Sequence, residues 1–273
     1  MLFRSPFEVV GTEDDAQRVA RAATIDGVPF LRAVLKTATL GYDGKGQVRL
    51  HGPGDFVAAY RELGAVPCVL ESLVPLDCEI SVVLARTADG DIALFEPTVN
   101  EHRRGILHSS TAPMVAPGMS RVIEEARTTA ARLAEQLQYV GVLGVEFFVS
   151  EGQLLVNEIA PRPHNSGHWT LDAAATSQFE QQVRVLAGMP LGDPSMSSAG
   201  VAMVNILGDM WNGGEPRWSV LAREQGAQLH LYGKSSPRPG RKMGHLTVLS
   251  GDPEGALSRA EQLLLGTTEH TGG

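Results

Sequence analysis

The chain is short of cysteine, short of positive charge and without a long apolar run. Each shortage removes a class of function. Cys68 and Cys78 are its 2 thiols in 273 residues. Neither has a CxxC partner or a histidine at metal-ligand spacing, which argues against zinc and fits a reducing, cytoplasmic setting. Lys and Arg number 23 against 31 Asp and Glu, a formal charge of −8. That balance argues against a nucleic-acid partner and against an anionic membrane surface. No stretch approaches the ~20 apolar residues of a membrane span. The leader Met1-Leu2-Phe3-Arg4-Ser5 is too short for a signal peptide, and the natural N-terminus is expected upstream of it. With 43% apolar and 20% charged residues, the composition is that of a packed globular protein.

Periodicity then places the elements. Helices are expected over 14–24, with Thr12 or Asp14 as cap, over 54–63, over 121–137 and over 171–186. Strands are expected over 29–37, 48–50, 66–74, 78–86 and 92–97, and again over 142–149 and 153–159, joined by a turn at Ser150-Glu151-Gly152. Pro194 and three serines mark 191–199 as a linker, after which 200–207, 228–232 and 244–249 read as strands. The mixture predicts an α+β fold with mostly antiparallel strands.

Chemistry concentrates in Asn157-Glu158-Ile159-Ala160-Pro161-Arg162-Pro163-His164-Asn165-Ser166-Gly167-His168-Trp169, where an apolar strand gives way to a carboxamide, a carboxylate, a guanidinium and two imidazoles. Such a set can hold a hard cation and an anionic substrate. In the preceding strand Val145, Phe147 and Val149 share one face, leaving Glu146 with Phe148 on the other. The hairpin register sets Glu146 opposite Glu158, and two facing carboxylates call for a cation such as Mg²⁺ between them. Gly41 to Gln47, with three glycines plus Lys36 and Lys45 at hand, suits a flap over phosphates, although it matches neither nucleotide-binding glycine fingerprint. Glu71-Ser72-Leu73-Val74 with Glu79 suits an adenosine pocket, and the turn from Tyr232-Gly233-Lys234 to Arg238-Pro239-Gly240-Arg241-Lys242 suits an anion. Taken singly, the glycine loop would equally suit a plain hairpin tip, while Glu71 and the basic turn would better suit exposed surface segments.

Together and in this order, these strings resemble ATP-grasp enzymes, and among them the N5-carboxyaminoimidazole ribonucleotide synthase family. The carrying segments are Val34-Leu35-Lys36-Thr37 with the glycine loop, Gly105-Ile106-Leu107, Tyr139-Val140-Gly141-Val142, the 157–169 string, Ser177-Gln178-Phe179-Glu180 and Arg238 to Leu246. The resemblance implies an ATP-grasp fold of two α+β subdomains over 1–190, the linker 191–199, a small strand-rich C-terminal domain over 200–265 and a frayed tail over 266–273. It implies that ATP is bound by Lys36, Gly41, Tyr42, Asp43, Gly44, Lys45, Gly46, Gln47, Glu71, Ser72, Leu73, Val74, Glu79, His102, Asn157 and Glu158, and Mg²⁺ by Glu146 and Glu158. It places aminoimidazole ribonucleotide and bicarbonate against Tyr42, Asp43, Arg162, His164, Asn165, Ser166, Lys234, Arg241 and Lys242. Asp43, Arg162, His164, Lys234 and Arg241 are its implied catalytic groups, with Asp43 and His164 as candidate bases.

The family's N-terminal Rossmann-like domain has no counterpart in this sequence, so part of the substrate walls is expected to be missing. The implied reaction is bicarbonate attack on the γ-phosphate of ATP, then transfer of the carboxyl group from carboxyphosphate to the amine of the ribonucleotide. A homodimer is implied as well. The alternatives are another ATP-grasp ligase, such as a formate-dependent transformylase, and a fragment that binds nucleotide without turnover.

Overall fold

The computed structural model describes residues 4–29, 32–39, 46–115 and 118–268. The chain first builds a small lobe from β1 (Phe7–Val10), α1 (Glu13–Ala22), β2 (Thr24–Ile25), β3 (Val28–Pro29), β4 (Ala33–Thr37), β5 (Gln47–Leu50), α2 (Phe56–Glu62) and β6 (Cys68–Ser72). Its antiparallel sheet runs β1-β6-β4-β5, and α1 and α2 cover one face. Helix α1 starts at a capping box. The Thr12 hydroxyl accepts from Asp15 N–H while the Asp15 carboxylate accepts from Thr12 N–H, and the helix stops where Ala23 turns left-handed at φ 53°. Val10, Leu35, Leu50, Phe56, Tyr60 and Leu70 fill the core beneath.

The second lobe starts with β7 (Cys78–Arg86), β8 (Ile92–Leu94), β9 (Thr98–Arg103), β10 (Ile106–Ala112), α3 (Ser120–Gln136), β11 (Gly141–Ser150) and β12 (Gln153–Ala160). It continues with α4 (Thr170–Ala173), α5 (Gln178–Leu186), β13 (Gly200–Leu207), β14 (Ala227–Leu231), β15 (Lys242–Ser250) and α6 (Pro253–Thr268). One large sheet runs β12-β11-β7-β9-β10-β13-β15-β14, with β8 paired to β7. The C-terminal strands therefore extend the central sheet through the β10–β13 pairing rather than forming a sheet of their own. Val122, Ala126, Ala130 and Leu133 of α3 pack on Leu143, Val145, Phe147 and Val149. Trp169, Phe95 and Val142 lie in the core on the opposite face.

Several stretches differ from the periodicity reading, among them β1 and β2, which were not expected, and the strand expected over 29–37, of which β4 begins only at Ala33. The helix expected over 171–186 is broken into α4 and α5, because Ala174 is extended and Ser177 caps a new helix by accepting from Glu180 N–H. Strands β9 and β10 escape a search for apolar alternation because their inward residues are polar: Thr98, Asn100, Ser109 and Ser110 are all buried. Asn100 makes this possible, donating to Ser81 Oγ at 2.5 Å and accepting from Thr98 and Ser110. Helix α6 was not expected, and the chain from Gly266, expected to fray, stays helical to Thr268. Among the described residues no helix is long and apolar enough to cross a membrane.

Candidate functional site

A cleft of about 1170 Å³ opens between the two sheets. The small sheet contributes Lys36, Gly46, Gln47, Glu71 and Ser72, followed by Leu73 and Val74. The large sheet contributes Glu79, His102, Glu146, Asn157 and Glu158, and the 162–168 segment adds Arg162, His164, Asn165 and His168. Tyr232, Lys234 and Lys242 complete the lining. The tip of the β4–β5 hairpin, which holds Gly41, Tyr42, Asp43, Gly44 and Lys45, lies outside the described residues. Lys36 and Gln47 face each other across that hairpin, and Lys36 Nζ is 2.7 Å from Glu71 Oε2.

The acidic centre follows from strand register. Glu146 of β11 is paired with Glu158 of β12, but Phe147 is paired with Val156. Asn157 is the extra residue of a β-bulge, which re-aims the end of β12 toward the cleft. Asn157 Nδ2 donates to Glu146 Oε2 at 3.4 Å. Burial pushes the Glu146 pKa up; His102 opposes the shift, while Glu158 and Glu79 add to it. A buried carboxylate held beside like charges is stabilised by a cation, and the carboxylate oxygens of Glu146 and Glu158 are the hard donors that suit Mg²⁺. The side chains present therefore fit that ion.

Around this centre the imidazoles differ in charge. His102 Nδ1 lies 2.7 Å from Glu79 Oε2, without hydrogen-bond alignment. Burial opposes charge on His102, but Glu79 and Glu146 outweigh it and raise its pKa. His164 Nε2 is 3.5 Å from Glu146 Oε1, yet this is not an ion pair. Burial, Arg162 and Lys242 lower the His164 pKa to about 3, so the ring is neutral, with Nδ1 bonded to Ser166 Oγ at 2.8 Å. Gly144 makes room for this ring: a Cβ there would sit 2.7 Å from His164 Cβ.

Two of the expected residues do not line the cleft. Ser166 is buried beneath it as the partner of His164. Arg241 is exposed and donates to Ser236 O at 2.9 Å, bracing the basic turn. Asn165 reaches the cleft and is fixed from below by Asn205, each carboxamide donating to the other at 2.8 and 3.1 Å. His168 and Tyr232 line the cleft although the residue-by-residue reading gave them no role. Tyr232 follows the end of β14, and a left-handed turn at Gly233 (φ 67°) brings Lys234 Nζ to 5.4 Å from its ring centroid. Its hydroxyl bonds to His245 Nδ1 at 2.9 Å, and burial raises its pKa to about 12, so it stays protonated.

Residues 4–179 match the ATP-grasp domain family, and residues 201–259 match the phosphoribosylaminoimidazole carboxylase C-terminal domain. The chain is 44% identical over 246 residues to the N5-carboxyaminoimidazole ribonucleotide synthase of Brucella melitensis, an alignment taking in 89% of this chain and 64% of that protein. Its fold is similar to that of N5-carboxyaminoimidazole ribonucleotide synthetase from Thermus thermophilus, with TM-score 0.82, 36% identity, and coverage of 100% of this chain and 70% of the other. A crystal structure of an ADP complex of N5-carboxyaminoimidazole ribonucleotide synthetase is similar at TM-score 0.85 and 38% identity, covering 98% and 69%. The chain spans 60–64% of the length of four curated relatives bearing the synthase name, those of Brucella melitensis, Pseudomonas aeruginosa, Bacillus subtilis and Synechococcus elongatus.

Proposed function

From the premise that this chain belongs to the N5-carboxyaminoimidazole ribonucleotide synthase family of ATP-grasp proteins, we propose that it carboxylates 5-aminoimidazole ribonucleotide with ATP and bicarbonate. The observation that carries the reading is one cleft lined by the facing Glu146–Glu158 pair together with Lys36, Arg162, Lys234 and Lys242. A cation site and several fixed positive charges in one cleft suit the transfer of a phosphoryl group between anionic substrates.

In this reading Glu71 to Val74 hold the adenosine, and His102 and Asn157 flank the phosphates. Lys36, Gly46 and Gln47 act with the Gly41–Lys45 tip as a cover that keeps water from the reactive intermediate. A Mg²⁺ held by Glu146 and Glu158 supplies Lewis-acid stabilisation of phosphoryl charge when bound. Bicarbonate oxygen bonds to the γ-phosphorus as the bond to ADP breaks, giving carboxyphosphate. The carboxyl carbon then bonds to the exocyclic amine as phosphate leaves, and a base takes the amine proton; Asp43 and His164 are the groups proposed for it. Arg162, Asn165, Lys234 and Lys242 orient the ribonucleotide, while Ser166 and Arg241 brace His164 and the basic turn. Cytoplasmic placement, supported by the unpaired thiols of Cys68 and Cys78, and a homodimer, which the family resemblance implies, complete the proposal.

The test is phosphate release from ATP and bicarbonate, with and without aminoimidazole ribonucleotide. The expected result is release stimulated by the ribonucleotide and reduced about 100-fold or more in Glu158→Gln. Nucleotide binding without release by the folded wild-type chain would overturn the catalytic reading and leave a nucleotide-binding unit.

A further inference from the structure

Gln178 is the first residue of α5 and is fully buried, and its carboxamide is directed at polar partners. Its Oε1 accepts from the backbone N–H of His164 at 2.9 Å, and its Nε2 donates to the carbonyl of the same residue at 2.8 Å. These two bonds fix which end of the carboxamide is oxygen and which is nitrogen. The opposite orientation would set N–H against N–H and oxygen against oxygen. Gly167 allows the approach, since a Cβ there would fall 2.9 Å from Gln178 Oε1.

The second hydrogen on Gln178 Nε2 is directed at His168 Nδ1, 3.0 Å away. A carboxamide nitrogen only donates, so His168 Nδ1 must accept. The ring then carries its one proton on Nε2, and an imidazolium would place two donors face to face. His168 Nε2 has no hydrogen-bond partner among the described residues, and His168 lines the cleft. The ring is held by Phe179 at 5.3 Å and His245 at 5.2 Å between centroids, with Tyr232 edge-on at 6.3 Å. Burial and the Lys242 charge also disfavour its protonation, lowering its pKa to about 4.

We propose that His168 is a constitutively neutral Nε2–H donor to an oxygen of the bound ribonucleotide, and that Gln178 is the positioning residue that sets its tautomer. The choice of ligand rests on the functional reading above. His168 lines the cleft with Tyr232, Lys234 and Lys242, its ring edge-on to Tyr232 and within reach of the Lys242 charge. Where cations already supply charge, an uncharged donor in a fixed ring adds direction without further repulsion between positive groups.

The experiment uses the full chain with ¹⁵N-labelled histidine, the His168 resonances being identified by their loss in His168→Gln. Long-range ¹H–¹⁵N spectra near pH 7 are expected to show the Nε2–H tautomer for His168, and Gln178→Glu to shift it to Nδ1–H or to imidazolium. Calorimetry with aminoimidazole ribonucleotide, in the presence of ADP and Mg²⁺, is expected to show binding weakened about tenfold in His168→Leu. Binding should stay within about threefold of wild type in His168→Gln, which keeps an N–H at the Nε2 position, and ADP affinity should not move in either variant. An Nδ1–H or imidazolium signature in the wild-type chain would overturn the tautomer assignment, whether or not Gln178→Glu folds. Wild-type-like ribonucleotide binding by His168→Leu would overturn the donor role. A wild-type chain that binds ADP but no ribonucleotide would overturn the functional reading and the ligand with it, an outcome the spectra distinguish because they need no substrate.

Discussion

At the scale of single residues, burial decides which imidazoles carry charge. His245 is 1% exposed, and burial lowers its pKa to about 3. An unfolded histidine titrates near 6.5, so below that pH the unfolded chain binds the proton that the folded one refuses. The stability contributed by neutral His245 is complete above about pH 6.5 and is lost as pH falls toward 3, at about 1.4 kcal/mol per pH unit. His168, lowered to about 4, acts in the same direction. His102 has the opposite sign, because its raised pKa contributes stability at low pH that is lost as pH rises through the folded value. Thermal melting between pH 7 and pH 5 is therefore expected to show a falling midpoint, with a shallower fall in His245→Gln. An equal pH slope in the two proteins would contradict this account of His245.

At the scale of elements, β11 and the segment after β12 approach too closely for an ordinary side chain. Gly144 lies two residues before Glu146 in β11, and an alanine Cβ there would stand 2.7 Å from His164 Cβ and 2.9 Å from its Cγ. Neither atom is the far end of a flexible chain, so the 162–168 segment must move. Gly144→Ala is expected to cost about 1–3 kcal/mol of stability, measured by denaturant unfolding, and to raise the KM for aminoimidazole ribonucleotide. Unchanged stability together with an unchanged KM would show that the segment yields without consequence. The β11–β12 hairpin could be read from the sequence by its two-residue period and short turn, but the turn register, with Ser150 opposite Gln153, would by itself set Glu146 opposite Asn157, so the facing of Glu146 and Glu158 rests on the bulge. The bulge at Asn157 could not be read there, since alternation does not reveal one extra residue. Nor could β9 and β10, where Asn100, Ser109 and Ser110 occupy positions that apolar residues usually hold.

At the scale of the whole molecule, the site is assembled from distant stretches of chain. Lys36 and Glu71 come from the small lobe, Glu146 and Glu158 from the hairpin, and Lys234 and Lys242 from around the β14–β15 connection. The strings around them could be recognised one at a time, and the 157–169 segment announces itself by its abrupt polarity. The convergence of His168 with Tyr232 and His245 becomes visible only when β13 docks on β10 and brings β15 and β14 with it. The same docking places Asn205 under Asn165, so the C-terminal strands brace the 162–168 segment where it lines the cleft. The proposed function makes a single chemical claim for this divided site: phosphoryl transfer from ATP and carboxyl transfer to the ribonucleotide act on one bicarbonate. The measurement that tests it most directly is ¹³C NMR of the chain with ¹³C-bicarbonate, ATP, Mg²⁺ and aminoimidazole ribonucleotide. The predicted result is a carbamate carbon that appears only with ATP and is absent with Glu158→Gln. ATP consumption by the wild-type chain with no labelled carbamate would contradict it.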